Sequence, residues 1–118
     1  MGHGVEGRSH AGGLDPAAVK TIATTLQALS TPSRLLILSR LREGPTSVGE
    51  LAHAVDMEAS AVSHQLRLLR ALGLVSGERR GRTIVYSLYD NHVAQLLDEA
   101  VYHVEHLRMG RPDRASSA

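Results

Sequence analysis

The chain has 118 residues, a net charge of +1 and no cysteine. That length makes one small domain or one protomer of a dimer, with a core modest enough to gain from association. The missing cysteine excludes disulfides, thiolate metal sites and thiol redox chemistry and fits a cytoplasmic location, no apolar run reaches membrane-spanning length, and residues 1–13 lack the apolar centre of a secretory leader.

Residues 1–14 are rich in glycine, have no periodic apolar pattern and read as a flexible arm. Once Met1 is removed, the free amine of Gly2 and the imidazole of His3 can chelate a nitrogen-loving metal, with His10 a weaker donor; the alternative is an inert tail. At Asp15 and Pro16 the pattern turns helical, with an N-cap and a first-turn proline. Val19, Ile22, Ala23, Leu26 and Leu29 then recur at helical spacing to about Ser30. Thr31 and Pro32 start a second helix, which carries the apolar run Leu35 to Leu41 and stops at Gly44 and Pro45. Ser47 and Glu50 form a capping box for a short third helix, which ends at a turn near Asp56.

The fourth helix, from about Glu58 to Leu72, divides by face. Val62, Leu66 and Leu69 point one way, and Ser60, Ser63, His64 and Arg67 the other, with Gln65 at the border. A short helix, a tight turn and a second helix presenting small polar groups and arginine is a helix-turn-helix pattern, whose second helix enters the major groove of double-stranded DNA. Leu74 to Ser76 and Thr83 to Leu88 read as two strands, the second with Ile84, Tyr86 and Leu88 inward and Thr83, Val85 and Ser87 outward. Arg79, Arg80 and Arg82 surround Gly81 at the tip between them, placed for phosphate or minor-groove contacts. Between Ser60 and Tyr89 five arginines face one glutamate, a balance that fits a polyanionic partner.

The last helix, from Asp90 to Leu107, reverses the charge, with four acidic residues and no lysine or arginine up to His106. Val93, Leu96, Leu97, Ala100, Val101, Val104 and Leu107 form an apolar face. His92, His103 and His106 form a stripe beside it. A rise of ~1.5 Å per residue sets His92 roughly 16 Å from His103, so one helix cannot close both around one ion. Two copies packed antiparallel about an axis near Leu97 bring Asp90 and His92 of one opposite His103 and His106 of the other. That builds two identical sites, each with one carboxylate and three imidazoles, a set suited to zinc, cobalt or nickel. Taken singly, each histidine is as readily a solvated surface group, and Asp90 as readily a helix cap.

Four stretches then act together: TPSRLLIL, SAVSHQLRLLRALGLV, RRGRTIVYSLYD, and D-x-H followed by H-x-x-H in the last helix. With them the chain resembles the ArsR-SmtB family of metal-responsive repressors over residues 15–107. The resemblance implies a mainly α fold with a small β-hairpin wing, a winged helix-turn-helix of four helices, two strands and a fifth helix, paired as a homodimer through its first and last helices. It implies Asp90, His92, His103 and His106 as metal ligands. It also implies a dimer that holds an imperfectly palindromic operator without metal and releases it when metal binds, derepressing a metal-efflux gene. The cysteine pair of the arsenic, cadmium and lead sensors is absent from SVGELAHAVDM.

Nickel or cobalt sensing in this family calls for further ligands, which Gly2 and His3 can supply; four ligands alone suit Zn(II). Residues 108–118 have no pattern and read as a disordered tail. Two other classes remain. One is a winged-helix regulator answering a non-metal signal, with the histidines as interface residues. The other, a metal-dependent hydrolase, is disfavoured because no HExxH and no nucleophile with a base are visible. Glu99 reads as a neighbour supporting the histidines or as a solvated group, and the second nitrogen of His92 as a hydrogen-bonding relay to the winged domain.

Overall fold

The structure, a computed structural model, describes residues 13–117, with side chains to residue 110. The chain divides after Leu35 into two compact units, each taken by itself below. In the first, helix α1 (Pro16–Ala28) starts as its sequence dictates. Asp15 accepts the Ala18 N–H at 2.7 Å, and Pro16 sits where a missing donor costs nothing. Its apolar residues Val19, Ile22 and Leu26 remain exposed, so α1 leaves most of an apolar stripe uncovered within the chain. Thr31 then caps helix α2 (Pro32–Arg42), its hydroxyl accepting the Arg34 N–H at 3.3 Å.

The second unit begins within α2 and holds the main core. Ile37, Leu38 and Leu41 of α2 are buried, as are Leu51 and Ala52 of α3 (Val48–Val55) and Val62, Leu66 and Leu69 of α4 (Ala59–Ala71). Leu74, Val75, Tyr86, Val93 and Leu97 are buried as well. The two helices of the expected helix-turn-helix are joined by a turn in which Asp56 caps α3 in the left-handed region (φ 57°), a conformation that aspartate tolerates better than most residues.

Three antiparallel strands follow the order β1 (Thr46–Ser47), β3 (Thr83–Leu88), β2 (Val75–Arg80). The sequence reading has only two strands and ends the first at Ser76. The structure extends it to Arg80, so Arg79 and Arg80 stand on the strand and only Gly81 and Arg82 form the turn. Gly81 has φ +65° and Arg82 is not in the left-handed region, which is the two-residue hairpin geometry that needs glycine first. Because β1 pairs with β3, β3 is the central strand, and Val85, expected outward, is half-buried like Ile84 and Leu88. Tyr86 alone on this strand is fully buried. Its ring crosses Gly77 on β2, where an added Cβ would stand 3.0 Å from Tyr86 Cε1.

Thr46, the one buried polar residue among those described, donates its hydroxyl to Glu50 at 3.1 Å. Glu50 answers the sequence's capping box: its backbone N–H meets the Ser47 hydroxyl at 3.3 Å. The Thr46 hydroxyl, followed by the Ser47 N–H, holds the Glu50 carboxyl below its ordinary pKa.

Helix α5 spans Asn91–Ser117. Val93 and Leu97 are buried, but Leu96, Val101 and Val104 of the same apolar face are exposed. The helix also runs past Leu107, where the apolar periodicity ends and the sequence reading expects a disordered tail. Extending an existing helix adds one hydrogen bond for each residue fixed, Pro112 excepted because it has no N–H to donate, and requires no apolar stripe.

Candidate metal centre and nucleic-acid interface

Helix α4 turns its buried side to the core and leaves Ser60, His64 and Arg67 exposed, with Ser63 and Gln65 half-buried at the margin. Arg67 reaches back one turn to donate to the Ser63 hydroxyl at 3.3 Å. The wing carries Arg79, Arg80 and Arg82, all exposed; Arg80 pairs with Glu78 at 3.1 Å. Helix and wing share a cleft of about 490 Å³ lined by Ser63, Arg82, Thr83 and the start of α3 at Ser47, Val48 and Gly49. Helix α4 and the basic turn thus face one concavity, and Ser47 and Gly49 join it from the start of a helix that sequence reasoning used only as support. Their position follows from the tertiary fold and has no signature in local sequence.

Asp90 and His92 lie together at the head of α5. Asp90 accepts the Val93 N–H at 3.1 Å through one oxygen and faces His92 Nδ1 at 3.3 Å through the other. Desolvation alone would raise the Asp90 pKa, but the Val93 N–H and the His92 ring outweigh it and hold the carboxyl below its ordinary value. The His92 side chain is 88% exposed, and among the described residues its ring hydrogen bond is to Asp90.

His103 and His106 lie further along the helix, both exposed. The Tyr102 ring stacks on His106 with centroids 5.9 Å apart, an i to i+4 contact that sequence reasoning missed although its spacing was legible. Among the described residues no three His, Cys, Asp or Glu side chains converge within the chain, so the two donor pairs stay apart. The donor chemistry nevertheless suits a divalent transition metal: an ionised carboxylate and exposed imidazoles, all reachable from solvent. Gly2, His3 and His10 lie outside the described residues. Glu99 is exposed.

One long-range contact lies outside every motif read from the sequence. Asp98, midway between the two candidate donor pairs of α5, accepts two hydrogen bonds from Arg42 in the last turn of α2, Nε to Oδ1 and Nη2 to Oδ2, the latter at 2.7 Å. The Arg42 hydrogen bond is the main reason that the Asp98 carboxyl lies below its ordinary pKa.

This architecture recurs in known proteins. Residues 31–76 match the family described as bacterial regulatory protein, arsR family. The HTH-type transcriptional regulator NmtR of Mycobacterium tuberculosis (strain ATCC 25618 / H37Rv) is 66% identical over 119 residues, covering 100% of this chain and 99% of its own. The solution structure of apo-NmtR superposes with a TM-score of 0.71 at 66% identity over 92% of each chain. A homodimeric winged helix-turn-helix DNA-binding domain from Mycobacterium bovis superposes with a TM-score of 0.72 at 29% identity, over 80% of this chain and 87% of that one. No helix among the described residues is long and apolar enough to cross a membrane. With its winged helix-turn-helix, its basic wing and relatives that are transcriptional regulators rather than enzymes, the chain belongs to the ArsR family of bacterial regulatory proteins.

Proposed function

We propose that the protein is a cytoplasmic metal-sensing repressor, a homodimer that holds an imperfectly palindromic operator without metal and releases it when Ni(II) or Co(II) binds two sites between the subunits. The observation that carries this reading is the layout of α5. Asp90 and His92 occupy one end, His103 and His106 lie further along, and Leu96, Ala100, Val101 and Val104 are left exposed by their own chain, while Val93 and Leu97 are buried. Antiparallel pairing of two such helices covers that face and completes both donor sets in one step. The M. bovis neighbour is homodimeric, which supports assembly as a dimer.

Each site takes Asp90 and His92 from one subunit and His103 and His106 from its partner. Gly2 and His3 of the arm raise the coordination number toward what nickel and cobalt favour; without them the same four donors suit a tetrahedral Zn(II) sensor, which is the second reading. The metal supplies a charge centre that joins the two helices at a set angle. Ser60, Ser63, His64, Gln65 and Arg67 read the major groove, while Arg79, Arg80 and Arg82 bind the backbone. Release requires that the metal-bound pose favour a spacing of the reading heads that DNA does not fit. The regulated gene, on this reading, is a metal exporter.

The test uses a duplex selected from a random pool by the metal-free protein, titrated with nickel, cobalt and zinc. Release by nickel and cobalt that is lost in His103→Ala, and weakened when Gly2 and His3 are deleted, supports the nickel and cobalt reading. An equal response to all three metals, untouched by the deletion, supports zinc; indifference to all of them overturns both and leaves a non-metal signal.

A further inference from the structure

Helix α5 is held to the rest of the second unit over a short stretch. Val93 and Leu97 are buried, Asp98 is gripped by Arg42, and residues 99–106 are all exposed. Apolar contacts such as those of Val93 and Leu97 are non-directional and tolerate a roll of the helix. Two parallel N–H···O bonds from a planar guanidinium do not, because their geometry fixes the azimuth of the carboxylate as well as its distance. Along the axis Asp98 lies ~12 Å from Asp90 and ~12 Å from His106, midway between the two donor pairs. Arg42 ends α2, and the chain leaves it through β1 directly into α3 of the helix-turn-helix.

We propose that the Arg42–Asp98 contact is the coupling joint of the protein, the directional link through which a change in the pose of α5 reaches the DNA-reading head. It rests on the metal-sensor reading above. Arg42 and Asp98 are positioning residues; neither belongs to the donor set or to the DNA-reading face. With 47% and 48% of their side chains exposed, solvent screens the pair, so its removal costs little stability and leaves coupling as the property it changes. Without the joint, α5 can adopt the metal-set pose by rolling on Val93 and Leu97 while the reading head stays where DNA holds it.

The experiment is a double-mutant cycle in the full chain, with Arg42→Ala, Asp98→Asn and the double variant, and Arg42→Lys as a variant that keeps the charge but loses the fork. Four quantities are measured: the melting midpoint, duplex affinity without metal, metal affinity of the DNA-free protein by calorimetry, and duplex affinity at saturating metal, using whichever of nickel, cobalt or zinc acts on the wild type. Coupling is the ratio of the two duplex affinities. We expect metal-free duplex affinity and metal affinity to stay within about twofold of wild type, while coupling falls about 2- to 30-fold in each single variant, Arg42→Lys included, and no further in the double variant. A responsive wild type with equally responsive variants, or losses that add in the double variant, overturns the joint alone. A wild type indifferent to all three metals overturns the metal reading and the joint with it.

Discussion

If α5 pairs with a second copy, the cost of trimming its exposed face follows from the structure. Val104→Ala removes two methyl groups, each contributing about 0.8 kcal/mol when fully buried. Val104 is 54% exposed in the single chain, so roughly half of that, about 0.8 kcal/mol, is available on pairing. A two-fold interface contains the site twice, which makes about 1.6 kcal/mol per dimer, or roughly a 15-fold rise in the dissociation constant. Sedimentation equilibrium without metal measures this directly. Leu72→Ala is the control: it is an exposed leucine at the C-cap of α4, on neither of the helices proposed to pair, and should change the constant by less than about twofold. An unchanged constant for Val104→Ala, or an equal shift for Leu72→Ala, would show that this face does not form the dimer.

Three further outcomes are expected. Arg82→Ala should weaken duplex binding regardless of sequence and lower the slope of log affinity against log salt by about 0.9 for each phosphate that the arginine neutralises; Arg80→Ala should do less, because Glu78 already partners Arg80. Gly77→Val should lower the urea midpoint by an amount corresponding to about 1–3 kcal/mol, since its Cβ has to displace the Tyr86 ring, and an unaltered midpoint would mean that the ring moves aside freely. Asp98 and Asp90 have depressed pKa values in the folded chain, so their contribution to stability is present above the ordinary carboxylate range and is lost as pH falls through the folded values. Urea melts between about pH 5 and pH 3 should therefore fall less steeply for Asp98→Asn than for wild type, and parallel curves would remove Asp98 from the acid response.

The order of five helices and a basic hairpin was legible because its signals are local. Asp15, Ser47 and Asp56 act at helix ends as their side-chain chemistry dictates, and the faces of α4 divide as its period predicts. Strand β1 escaped notice because two residues carry no alternation, and its place is decided by pairing with Tyr86 and Val85 far along the chain. That pairing is also why Val85 is not a surface residue. The candidate donors of α5 rest on the spacing of D-x-H and H-x-x-H, and the structure sets Asp90 and His92 at the head of the helix and His103 and His106 further along it. The Arg42–Asp98 contact could not be named from the sequence, because nothing in either residue's neighbourhood marks a partner 56 positions away.

The two-residue strand β1 limits how regulation can work. Thr46 and Ser47 are hydrogen-bonded to the wing strand β3, and Ser47 is itself the cap from which α3 departs, so no linker separates wing from helix-turn-helix. The start of α3 and the wing strand β3 therefore have no hinge between them. An effector acting on such a head has few degrees of freedom to work with. It can shift or tilt the whole head relative to a second copy, but it cannot fold the wing away while leaving the helix in the groove. On the proposed repressor reading, stepwise detachment of one part of the head at a time would be unavailable as a mode of control, and release of DNA would be a matter of the spacing between two heads.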